Sequence, residues 1–77
     1  MKINANDYEA KEIVKIIREW SDLSQTKFGK TINRGRDSIN NIENGRNRMY
    51  LNDFLKMCKI HNISITLEKE KSKITHY

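Results

Sequence analysis

Two short stretches, "QTKFGKTI" and "RDSINNIEN", are joined by nothing but Asn33, Arg34 and Gly35. A joint that short makes two helices immediate neighbours and forces a sharp turn between them. Ser24 is a good N-cap for the first helix, about Gln25 to Ile32, on which Phe28 and Ile32 share a face. Asn33 is among the few non-glycine residues that enter the left-handed region at low cost, and Gly35 can cap the next helix. That helix, about Arg36 to Asn44, turns Ile39 and Ile42 inward and leaves Asp37, Asn40, Asn41 and Asn44 outside, with Gly45 placed as its left-handed stop. Outward Asn is poor helix chemistry, so something other than helix propensity selected these residues.

The flanks supply what little hydrophobe there is. A preceding helix is expected from Asn6, with Glu9 completing a capping box, to about Ser21. Its residues Ala10, Ile13, Val14, Ile17 and Ser21 trace one face, and Ile13, Ile16 and Trp20 an adjacent one. So wide a stripe serves a core alone, or a core together with a second subunit. After Gly45, Leu51, Phe54, Leu55 and Cys58 follow helical spacing, which predicts a helix from about Leu51 to His61 with Cys58 as a buried small hydrophobe. Asn62 suits the stop. The pattern then changes to alternation in "ISITLEKE", with Ile63, Ile65 and Leu67 on one side. A strand over 63–68 has no neighbour within a helical chain, so the simplest partner is the same strand of a second copy in an antiparallel ribbon. Residues 69–77 are expected to be a flexible basic tail.

With 77 residues, the chain can build only a marginal core, which favours borrowing stability from a partner or a second copy. Apolar residues at 36% and charged residues at 32% place it between a disordered chain and a membrane protein, and no apolar run approaches the ~18 residues of a span. No leader-like segment opens it, and a lone Cys58 is not the paired usage of small secreted domains, so a cytoplasmic protein is expected. Net charge is +5, concentrated on the opening segment: Lys27, Lys30, Arg34, Arg36, Arg46 and Arg48 stand against only Asp37 and Glu43. A basic surface interleaved with Asn suits a phosphate backbone with readable base edges; the plainer alternative is a solvated face.

The stretch "LSQTKFGKTINRGRDSINNIENG", Leu23 to Gly45, resembles the helix-turn-helix of the phage-repressor and Cro (Xre-type) family without a gap. The resemblance rests on Leu23, Gln25, Phe28, Gly29 at the usual alanine, Ile32, Ile39, Ile42, Glu43 and Gly45, and extends to Val14, Ile17, Arg18, Leu51, Phe54 and Leu55. It implies an all-α, four-to-five-helix, lambda-repressor-like DNA-binding domain over 1–68, with its motif at 24–45. By the family's pattern, base readout falls on Arg36, Asp37 and Asn41, helped by Ser38 and Asn40. Arg36 can grip guanine O6 and N7, Asn41 adenine N6 and N7, and Asp37 can accept from cytosine N4 or brace Arg36. Phosphate contacts fall on Gln25, Asn44, Arg46 and Arg48, with Lys27 and Arg34 as weaker candidates. The resemblance also pairs Arg18 with Glu43, locking the third helix onto the first.

Three positions depart from the pattern: Asn33 replaces the usual turn glycine, Arg34 an apolar residue, and His61 a core leucine. His61 is expected to be a partly buried core or interface residue. The "NISITLE" ending is similar to small HipB-like regulators, which implies an intermolecular sheet through Ile63, Ile65 and Leu67, with Ile13 and Trp20 lying against it. Together these readings predict a homodimeric, sequence-specific regulator of double-stranded DNA, most simply a repressor of a palindromic operator. The runner-up is an antitoxin that also holds a toxin protein. No nucleophile, base and orienter constellation and no glycine-rich phosphate loop supports an enzyme. His61, His76 and Cys58 sit at unrelated spacings, so neither a metal site nor a cofactor is expected.

Overall fold

In the computed structural model, which describes residues 1–71, the chain is all-helical. A short 3₁₀ turn (Ala5–Asp7) precedes four helices, α1 (Ala10–Trp20), α2 (Gln25–Thr31), α3 (Arg36–Glu43) and α4 (Leu51–Ile60).

The first helix starts a full turn later than its sequence signal suggests. Asn4, not Asn6, caps the opening turn, its side chain accepting from the Asn6 amide at 3.0 Å. Tyr8 then runs extended and interrupts the helix. The capping box forms one step on, where the Glu12 carboxylate accepts from the Glu9 amide at 2.9 Å. Two acidic residues three apart, Glu9 and Glu12, offered two registers, and the chain uses the second.

Sharp turns separate the elements. Asp22, Asn33 and Asn62 all adopt φ 58°, and Gly45 φ 76°; Asp and Asn tolerate this region because their short polar side chains bond locally. Ser24 caps α2 by accepting from the Lys27 amide at 3.2 Å. The α2–α3 turn closes with the Arg34 amide donating to the Gly29 carbonyl at 2.8 Å. A β-carbon on Gly29 would lie 2.4 Å from the Arg34 carbonyl oxygen, so only glycine lets the turn fold back onto α2. After α3, the Arg46 and Asn47 amides both donate to the Asn41 carbonyl, at 2.9 and 3.2 Å, and turn the chain toward α4.

The core consists of Val14 and Ile17 from α1, Phe28 from α2, Ile39 and Ile42 from α3, and Met57 and Cys58 from α4. Each such side chain contributes about 1.5–3 kcal/mol by leaving water, so a core of this size holds few reserves. On α4 the inward stripe is the partly buried Phe54 with the buried Met57 and Cys58, rotated from the expected one: Leu51 and Leu55 are exposed, and the unanticipated Met57 is completely buried. Both stripes fit helical spacing on a broadly apolar helix, and packing into the shared core decides between them.

His61 closes the far end of the core. Its ring stacks on Phe28, with centroids 4.7 Å apart. Nδ1 lies 3.2 Å from Ser21 Oγ and Nε2 2.8 Å from Thr31 Oγ1, tying the end of α4 to the ends of α1 and α2. The same two hydroxyls lie against backbone carbonyls, Ser21 Oγ 2.8 Å from that of Ile17 and Thr31 Oγ1 2.6 Å from that of Phe28, and in a neutral ring one nitrogen donates to its hydroxyl while the other accepts. Burial pushes the imidazole pKa down, which favours the neutral form of the ring.

The strand expected over 63–68 is not seen among the described residues: residues 63–71 run without regular structure. A strand needs a neighbour to exchange hydrogen bonds, and within one chain it has none. The assignment of a flexible tail to 69–77 falls largely on residues 72–77, which lie outside the described residues.

Candidate functional site

The polar side chains of α2, its turn and α3 are arranged by a bonded chain that starts in α1. Arg18 donates Nε to Glu43 Oε2 at 2.7 Å and Nη2 to Oε1 at 3.1 Å, and its Nη1 donates to the Leu23 carbonyl at 2.9 Å. The two side chains retain only 16% and 4% of their exposure. The hydrogen bond to Glu43 holds the guanidinium pKa further above its ordinary value, ahead of the opposing effect of burial. Charge pairing with two parallel bonds makes this a rigid joint between the first and third helices.

Gln25, at the first position of α2, reaches into that joint. Its Nε2 donates to Glu43 Oε1 at 3.2 Å and to Asn40 Oδ1 at 3.3 Å. Asn44 Nδ2 donates to the same Asn40 oxygen at 3.2 Å. A phosphate-binding role for the Gln25 amide group therefore meets an obstacle: both amide hydrogens are committed inside the molecule, leaving an oxygen, which a phosphate would repel.

Arg34 is similarly engaged. Nη2 pairs with Asp53 Oδ2 at 2.9 Å and Nη1 donates to Ser38 Oγ at 3.2 Å, so this side chain clamps the turn to α4 rather than standing free for a phosphate. Sequence reasoning missed Asp53, and no local pattern marks a partner 19 residues away.

The remaining predicted contacts lie open. Arg36 and Asp37 are exposed in the first turn of α3, Asn41 is half-buried, and Lys27, Asn44, Arg46 and Arg48 are exposed. Among the described residues the Asn41 side chain makes no hydrogen bond, in contrast to Asn40. Among the described residues Lys27, Lys30, Arg36, Arg46 and Arg48 form no salt bridge, and with Glu43 taken by Arg18 the one other carboxylate of residues 24–48 is Asp37.

The residues assigned to a dimer interface divide. Ile13 and Ile63 pack against the chain's own core and Trp20 is half-buried, whereas Ile65 is 49% and Leu67 95% exposed. An apolar groove of about 620 Å³ lies between α1, the α3–α4 loop and α4, lined in part by Ile13, Val14, Ile42, Met49, Leu51 and Phe54. Among the described residues no three His, Cys, Asp or Glu side chains cluster as a metal would require, and no helix is long and apolar enough to cross a membrane.

Set against family models, curated proteins and solved structures, the chain matches none of them.

Proposed function

We propose that the chain is a sequence-specific regulator that binds double-stranded DNA as a homodimer through a lambda-repressor-like helix-turn-helix, acting most simply as a repressor of a palindromic operator. The observation that carries this reading is the α2–turn–α3 unit: Gly29 lets the two helices close to a contact no larger residue permits, while α3 exposes Arg36 and Asp37 at its start. Presenting the N-terminal part of a second helix on a rigid frame is how such units enter a major groove.

Arg36 is assigned to a guanine edge and Asn41, whose amide is uncommitted, to adenine N6 and N7. Lys27, Asn44, Arg46 and Arg48 are assigned to phosphates, since they flank α3 and stand exposed. Arg34 and Gln25 move from phosphate contact to positioning α3. A second copy is supported by the apolar groove and by Leu51, Leu55, Ile65 and Leu67, which one chain leaves in water. In a two-fold dimer the residues 63–68 gain the strand neighbour they lack, and two α3 helices reach grooves about 34 Å apart.

Footprinting on the DNA upstream of the chain's own coding region, at two salt concentrations, tests the reading. An inverted repeat should be protected, and with six to eight phosphates neutralised, affinity should fall about three orders of magnitude between about 50 and 200 mM salt. Arg36→Ala should abolish the footprint, and Arg46→Ala should weaken binding to all sequences alike. Equal loss of specific and random binding in both variants defeats direct readout. Recovery of an equimolar second protein with the chain would instead favour the antitoxin reading.

A further inference from the structure

The bonds around Glu43 have a direction. A guanidinium can only donate and a carboxylate can only accept, so Arg18 and Glu43 fix each other's roles. Gln25, beside the Glu43 carboxylate, must turn its NH₂ toward it, because its oxygen would be repelled there. The second hydrogen of that NH₂ needs an acceptor, which obliges Asn40 to offer Oδ1, and Asn44 donates to the same atom. Asn40 is thereby left with its NH₂ as the part of the amide that remains for an outside partner.

We propose that this relay, running from Arg18 through Glu43 and Gln25 to Asn40, makes Asn40 a donor-only contact, selective for an acceptor-only group on the duplex. The chemistry fits guanine O6 and N7 or a phosphate oxygen, and rejects the adenine edge, whose N6 hydrogen needs an acceptor. Asn40 and Asn41 are thus adjacent, chemically identical residues with different selectivity, because one amide is held and the other is not. Gln25 is the positioning residue: it touches no ligand and sets which end of Asn40 does. The inference rests on the duplex-DNA reading for its ligand, while the orientation of the amide can be tested without DNA.

In the protein alone, ¹⁵N spectra of the side-chain amides should show slow hydrogen exchange for the Gln25 NH₂ and fast exchange for that of Asn40, with Gln25→Met shifting the Asn40 signals. A protected Asn40 NH₂ beside an unprotected Gln25 overturns the relay whatever the chain binds. With DNA, sites are selected from a randomised duplex by the unaltered protein, Asn40→Asp and Gln25→Met, and affinity is then measured on the selected and on a random duplex. If Asn40 meets guanine, exchanging one G for A costs the unaltered protein about tenfold or more, Asn40→Asp reverses that preference, and Gln25→Met relaxes it. If it meets phosphate, Asn40→Asp weakens selected and random duplexes alike by about tenfold, with the motif unchanged. An Asn40→Asp protein that matches the parent in both motif and affinity, or a parent motif with an adenine that only this variant abandons, overturns the donor-only contact. Failure of the unaltered protein to enrich any duplex removes the DNA reading itself, and the spectra still judge the relay.

Discussion

The α2–turn–α3 unit and the region from α4 to Lys71 spend their hydrophobic residues in opposite ways. In the first, Phe28, Ile39 and Ile42 are buried, and the polar side chains behind them are tied by Arg18–Glu43, Gln25–Asn40 and Arg34–Asp53. In the second, only Met57 and Cys58 are fully buried, while Leu51, Leu55, Ile60, Ile65 and Leu67 remain in water. One region is closed by its own contacts. The other leaves an apolar surface that the described residues do not cover, which is why the proposed second copy belongs there. The difference teaches that rigidity here comes from directional bonds, because the core is too small to supply it by packing alone.

Breaking the ion pair gives the largest effect on the closed region. Glu43→Ala strands a mostly buried Arg18 and removes an acceptor from Gln25, so it should cost about 3–5 kcal/mol in urea unfolding. A loss below about 1 kcal/mol would mean that the frame is held by packing. Gly29→Ala comes next: the added carbon meets backbone, which cannot rotate away, and the cost should be about 1–3 kcal/mol by the same measurement.

His61 sits at the seam between the regions. Its pKa is depressed in the fold, so the unfolded chain binds the extra proton first, at its ordinary value of 6.5. Stability is therefore full above that pH and falls as acid is added through and below it. Thermal melting at pH 7.5 and 5.5 should show this loss, and His61→Leu should flatten its histidine component. The smallest expected change in single-chain stability is from Leu55→Ser with Leu67→Ser, within about 0.5 kcal/mol at high dilution because both are exposed. The same pair should lower the sedimentation coefficient at higher concentration. A parent protein that sediments as a monomer at all concentrations removes the contrast between a closed and an open region.

Much of the helical layout can be read from local chemistry. Ser24 before α2, the left-handed Asn33, Gly45 and Asn62, and the small Gly29 each act within a few residues, where sequence and backbone constrain one another directly. Choices between near-equivalent local options were harder to read. The α1 capping box had two acidic registers, and α4 had two overlapping apolar stripes, of which tertiary contact selected Phe54, Met57 and Cys58. The left-handed Asp22 had no cue beyond being Asp. Within the candidate site, the Arg18–Glu43 pair was legible through the family resemblance, but the other commitments were not: Gln25 meets Asn40 and Glu43 across 15 and 18 residues, and Arg34 meets Asp53 across 19. Such pairings depend on how helices cross, which no spacing rule encodes. The alternation over 63–68 remains a pattern without a neighbour.

The thiol of Cys58 lies under α4 at 2% exposure, and burial raises its pKa. Few thiolates form, and an alkylating reagent cannot reach them while the helix is seated. Air and mild oxidants should therefore leave Cys58 unmodified in the folded protein. The rate at which iodoacetamide consumes this single thiol becomes a clock for how often the last helix lifts away, read without any engineered probe.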